Sequence, residues 1–166
     1  MPVYPNPQPN QDEVTARNKD IMRKLNQAFT VGDTTAIDQY ISPNVVFHSP
    51  HVVRMEGRAI DGLKEEMLLP FEAFAQQTFR EVDLIAEGDM VFLDWELTAT
   101  HRGQLHGREG TGQPFMLHGG DIARISGEGK VIEHWDHFTK PRLESLIQLG
   151  LLDQAMLNQL NEHGLV

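Results

Sequence analysis

Hydrophobic positions along this chain change their period once. From Asp12 to Phe29 they recur three and four residues apart. Val14, Ile21, Met22, Leu25, Ala28 and Phe29 therefore line one face of a predicted helix. Gly32 is placed to stop that helix, and Asp33 to cap a second over Thr34–Ile41, whose buried stripe is Ala36, Ile37, Tyr40 and Ile41. Pro43 ends it, and Val45–Ser49 reads as a short strand. Asp61 can cap a third helix carrying Leu63, Met67 and Phe71. Pro70 should kink or divide this helix, because it lacks the amide hydrogen and its ring collides with the preceding turn. After that the period becomes two. Strands are predicted over Phe79–Ala86, Met90–His101, Phe115–Ile125 and Val131–Thr139, with Glu87-Gly88-Asp89 as the first tight turn. Helices first and an antiparallel sheet afterwards predict an α+β domain.

The two ends read differently from this middle. Residues 1–11 carry Pro2, Pro5, Pro7 and Pro9 and predict an extended arm. Residues 12–150 form the predicted domain, and at 166 residues the chain is long enough to bury one normal core. Past Pro141, helical stretches are predicted over Arg142–Gly150 and Asp153–His163. The apolar stripe of the last, Met156, Leu157 and Leu160, needs the domain or a partner to cover it. Residues 151–166 are therefore expected to be an oligomer-forming or pocket-covering helix.

Composition removes several function classes. A net charge of −10 argues against nucleic acid, whose phosphates this surface would repel. With no cysteine there are no disulfides, no thiol nucleophile and no thiolate metal site. No run reaches the ~18–20 apolar residues that span a bilayer, and the N-terminus has neither the basic nor the apolar region of a signal peptide. A cytoplasmic location without membrane attachment is the expectation. No metal is expected either: His48 and His51, like His134 and His137, are three apart and would face opposite ways on a strand.

Candidate chemistry concentrates in Leu117–Phe138, LHGGDIARISGEGKVIEHWDHF, which reads as a β-hairpin turning at Gly127 and Gly129. Phe115, Leu117, Gly119, Asp121, Ala123 and Ile125 share one face of its first strand. Asp121 is thus a carboxylate facing a roomy apolar interior. It is either a general base or acid, or a strand-end residue held by backbone amides. In the preceding strand Val91, Leu93, Trp95, Leu97, Ala99 and His101 point to the same apolar side. His101 then sits at a pocket mouth or is tied to loop backbone. The loop Arg102–Gln113, which holds His106, carries four glycines. His134 and Asp136 share a face with Phe138, and either line the pocket or pair on the outer side.

GGDIARISGEGKVIEHWD resembles the signature hairpin of the SnoaL-like polyketide cyclase family, within the NTF2-like superfamily. Three more segments match in order. IMRKLNQAFTVGDTTAIDQYISPNVVFHSP is similar to the family's opening, EGRAIDGLKEEM to its third helix, and FREVDLIAEGDMVFLDWELTATHRGQLHG to its central strand pair. The resemblance covers roughly residues 17–150. It implies a cone in which a strongly curved, mostly antiparallel sheet wraps the N-terminal helices around a pocket. It also implies that Asp121 is the acid–base residue, with His101 or His106 assisting; His118 has the opposite parity and fits less well. His48, Trp95, Leu97, Leu117, His118, His134 and Asp136 would contact the ligand. The mechanism implied is cofactor-independent: aldol-type cyclisation or isomerisation of a hydrophobic carbonyl-bearing small molecule of polyketide type. The alternative is a non-catalytic binding or carrier protein using the same pocket. The resemblance further implies a homodimer formed through the outer sheet surface and helices. The related epoxide-hydrolase chemistry needs an Asp-Arg-Asp cluster, and no arginine can be placed with two convergent acids. Gln113-Pro114 replaces an arginine with a β-branched residue common in the family, so the resemblance does not fix the substrate.

Overall fold

In the computed structural model, residues 11–48, 59–105 and 109–138 are described, together with isolated positions in 155–162. Residues 1–10 of the predicted arm, His106 and almost all of the predicted C-terminal helices lie outside the described residues, while Gln11, expected in the arm, opens the first helix. Helix α1 spans Gln11–Val31 and α2 Thr35–Tyr40; strand β1 is Ile41–His48; α3 is Ala59–Ala73. Strands β2 (Phe74–Glu87), β3 (Met90–His101), β4 (Pro114–Ile125) and β5 (Val131–Phe138) follow.

Local chemistry explains the joints. Gly32 takes φ +70°, a conformation open to glycine, and the Asp33 amide then donates back to the Ala28 carbonyl at 3.0 Å, closing α1. The Asp33 carboxylate accepts from the amide (3.0 Å) and hydroxyl (2.6 Å) of Thr35, which starts α2. Phe71 and Leu68 of α3 lie over Gly32, so Phe71 covers a turn rather than filling the core and stays 40% exposed. Pro70 sits inside α3, which runs on to Ala73. The expected division of that helix does not occur.

The sheet has the order β1-β5-β4-β3-β2, with β1 parallel to β5 and all other pairs antiparallel. It stays open, with β1 and β2 at its edges. Two of its register irregularities bear on the inward face. Between Ile41 and Val46 the β1–β5 register shifts, and between Ala75 and Thr78 the β2–β3 register does the same, with Gln76 at φ +55°. Helices α1 and α3 pack on one face of the sheet. Between them lies the core of Ile21, Met22, Leu25, Ile37, Leu63, Met67, Val91, Leu93, Trp95, Ala123 and Ile125. No helix among the described residues is long and apolar enough to cross a membrane.

The opposite face joins three strands by charge. Glu133 accepts from His48 at 2.8 Å and from Arg124 at 3.2 Å, and this contact with His48 first, then Arg124, holds its carboxyl below the usual carboxylate range. A carboxylate lowered in the folded state stabilises fully above its ordinary pKa, and that contribution disappears as pH falls through the lowered value. Glu133→Gln should therefore melt earlier than wild type at pH 7, with the gap closing as the melts are repeated down through the carboxylate range. A gap that persists in strong acid would refute this linkage.

Candidate active site

The concave face of the sheet and helices α1 and α3 enclose a cavity of about 310 Å³. That volume lies at the small end of ligand pockets. Its walls are mostly apolar: Met22, Leu25 and Phe29 from α1, Leu63 and Met67 from α3, Phe74 and Phe79 from β2, and Leu93, Leu97 and Leu117 from β3 and β4. Among the described lining residues there is no lysine or arginine.

The polar end is built by strand alternation. Asp121 on β4 lies directly opposite Asp136 on β5, and Ala123 opposite His134, so both acids and the imidazole face the cavity. Ligand atoms of Asp121, His134 and Asp136 all come within 4.8 Å of one another. His134 Nδ1 is 3.8 Å from Asp136 Oδ1, and the Asp136 side chain is only 5% exposed. Trp95 reaches diagonally from β3, and its Nε1–H donates to Asp121 Oδ2 at 2.8 Å. The indole is held by Phe79, whose ring centroid is 5.5 Å away. An indole donor favours the ionised carboxylate, whereas the apolar walls oppose charge. His134 packs edge-on against Phe47 of β1, at 5.7 Å.

Of the residues singled out by sequence, Asp121, Trp95, Leu97, Leu117, His134 and Asp136 line the cavity. Three histidines do not. His101 has the same parity as Trp95, but the cavity ends before it. Phe74 lines the cavity and packs edge-on against the His101 ring at 5.8 Å, and His101 is fully buried beyond it. There the backbone of Gln113 and Gly112 pairs with His101, so it serves the loop rather than the pocket. His118 faces outward, 2.8 Å from Asp94. His48 stacks on Trp135 at 4.9 Å and bonds Glu133 on the outer face. The β1 register shift puts Phe47, not His48, opposite His134.

Sequence reasoning missed the second polar group of the cavity: Asn26 and Thr30 of α1, Glu66 of α3 and Gln77 of β2. Asn26 and Thr30 are spaced four apart beside Met22 and Phe29, which was a readable helical signal. Gln77 had no such signal. The irregular backbone at Gln76 aims it inward, where its Nε2 donates to the Pro70 carbonyl at 3.1 Å.

The chain resembles solved structures over most of its length. It is 30% identical to AclR of Streptomyces galilaeus, a candidate hydroxylase, covering 84% of this chain and 99% of that one with a TM-score of 0.64. It is 28% identical to a candidate polyketide cyclase of Acidithiobacillus ferrooxidans, covering 82% and 96%, with a TM-score of 0.62. An NTF2-like protein of Burkholderia pseudomallei shares the fold at 16% identity, covering 80% and 97%, with a TM-score of 0.59. No curated protein sequence matches significantly. The family model for SnoaL-like polyketide cyclase matches residues 19–145. With that match spanning most of the chain and the α+β architecture agreeing, the protein belongs to the SnoaL-like polyketide cyclase family.

Proposed function

We propose that the protein is an acid–base enzyme acting on a hydrophobic small molecule of polyketide type, with Asp121 removing a proton α to a carbonyl. The observation that carries this reading is the meeting of Asp121, Trp95 and His134 at one end of an otherwise apolar cavity. His134 takes the helper role that sequence offered to His101 or His106. Its ring is within reach of a carbonyl oxygen whose α-carbon faces Asp121, and it donates a hydrogen bond as the enolate forms. The enolate carbon then attacks a second carbonyl of the same molecule in an aldol closure, or is reprotonated elsewhere in an isomerisation. Neither outcome needs a redox cofactor.

The test uses aromatic β-keto esters in D₂O. Ligand-dependent thermal stabilisation together with deuterium uptake at the α-carbon is expected. Binding without exchange would instead establish a carrier, and the likeness to AclR makes oxygen incorporation a third product to assay.

We also propose a homodimer formed through the convex sheet face. Register places Ile85, Phe92, Ile122, Trp135 and His48 in one row across all five strands. Ion pairs border it: Arg124 with Asp89 and Glu133 on one side, His118 with Asp94 on the other. Ile85 is 58% exposed, and an apolar row with a charged rim is the pattern of a buried interface. Light scattering should give twice 18.8 kDa for wild type and 18.8 kDa for Ile85→Asp. A wild-type monomer, or an unchanged Ile85→Asp dimer, would refute this interface. Deleting residues 152–166 tests separately whether the predicted terminal helix contributes.

A further inference from the structure

We propose that the cavity holds a second binding subsite, built by Asn26 of α1 and Gln77 of β2, which takes a hydroxyl or carbonyl oxygen at the end of the ligand remote from Asp121. This rests on the ligand class proposed above and adds a requirement to it, a second oxygen at the far end of the molecule.

The two amides stand at one level of the cavity. Helix α1 runs antiparallel to β2: Asn18 Nδ2 donates to the Gly88 carbonyl, just past the end of β2, at 3.0 Å, and Arg23 pairs with Glu81 at 2.8 Å. Glu81 in turn lies opposite Trp95, the residue that bonds Asp121. Asn26 comes three residues after Arg23, about 4.5 Å further along the helix axis. That step carries it away from Trp95 and toward Phe79 and Gln77. Both amides line the cavity and both are half-buried. Between them and Asp121 the wall is apolar, with Leu93, Leu97 and Leu117 on the sheet and Met22 and Leu25 on α1.

The backbone imposes the position of Gln77. Gln76, at φ +55°, is the one non-glycine residue with a positive φ among those described, and the β2–β3 register shifts around it. Such a conformation costs energy and persists where its surroundings demand it. A carbonyl can only accept, so the 3.1 Å contact with the Pro70 carbonyl engages the NH₂ of the Gln77 amide. That bond orients the amide and leaves Oε1 as an acceptor for a ligand O–H. Asn26 offers the complementary group. Among the described residues no hydrogen-bond partner meets its side chain, and an amide turned toward an apolar cavity is costly until it bonds water or a ligand. Its NH₂ donates to the ligand oxygen while Gln77 Oε1 accepts from it, so one hydroxyl satisfies both. A ligand with several carbonyls is thereby held at two points, which decides the carbon that faces Asp121.

Calorimetry on the full chain tests this with ethyl naphthoylacetate and the same ester carrying a hydroxyl on the ring remote from the ketone. Wild type should bind the hydroxylated ester about five- to tenfold more tightly, the span of one net hydrogen bond. Asn26→Leu keeps the size and a good helix former. It should bring the two esters within about twofold of each other, by losing affinity for the hydroxylated one alone. Gln77→Met should lower the preference in the same direction. Equal affinities in wild type, or no binding of the hydroxylated ester, would overturn the proposal, as would a preference undiminished in either variant. The wild-type comparison decides the question even if neither variant folds. Binding is read without turnover, so the two readings can fail separately. Esters bound with this preference but exchanging no α-proton would remove the Asp121 base and leave the subsite, whereas exchange of both esters at equal affinity would remove the subsite alone.

Discussion

Asp121→Asn should reduce α-proton exchange by about 10²–10⁴-fold, the span that a positioned general base contributes. Asparagine keeps the shape and the acceptor oxygen that Trp95 Nε1–H bonds at 2.8 Å, so the indole and the cavity wall stay where they are. Ligand affinity should accordingly change by no more than a few-fold, placing the loss in the chemical step rather than in binding. Trp95→Phe separates the two contributions. It keeps the contact with Phe79 but removes the donor, so it should lower exchange far less than Asp121→Asn does. Exchange in Asp121→Asn equal to wild type would remove the base from the mechanism.

The second large effect is on stability. Met67 is 1% exposed and lies both in the main core and in the cavity wall. Met67→Ala should cost about 2–5 kcal/mol in a urea unfolding series, combining lost burial with a void that the neighbours close only in part. Because that void opens into an existing cavity, a bulkier ligand should recover part of the loss and protect the variant more than wild type. A cost within about 0.5 kcal/mol, the range of surface substitutions, would show that Met67 is not packed as described.

The sheet and its inward face were legible because alternation is a local property. Leu93, Trp95, Leu97, Leu117 and Asp121 could be assigned to one side by counting in twos, and they do share the cavity wall. Alternation gives a face but not a depth. It put His101 on the correct side, yet could not show that Phe74 closes the cavity before reaching it. Counting also fails where a strand is irregular. The shift between Ile41 and Val46 turned His48 outward, and the one at Gln76 brought Gln77 inward from a stretch that carried no strand signal. For His134 and Asp136 the period left both faces open. Their inward orientation comes from pairing with Ala123 and Asp121 across β4–β5, which is a tertiary fact. Pro70 does not divide α3, because it lies near the helix end: only one further turn remains, and that turn completes at Ala73.

A crystal structure of the protein with a phenol bound as an enolate mimic would show whether Asp121 and His134 meet one ligand. The phenol ring is expected in the cavity, with its oxygen about 3 Å from a ring nitrogen of His134 and its ortho carbon against the Asp121 carboxylate. A phenol seated outside the cavity, or one whose oxygen turns toward Glu66 and Gln77 instead, would contradict it.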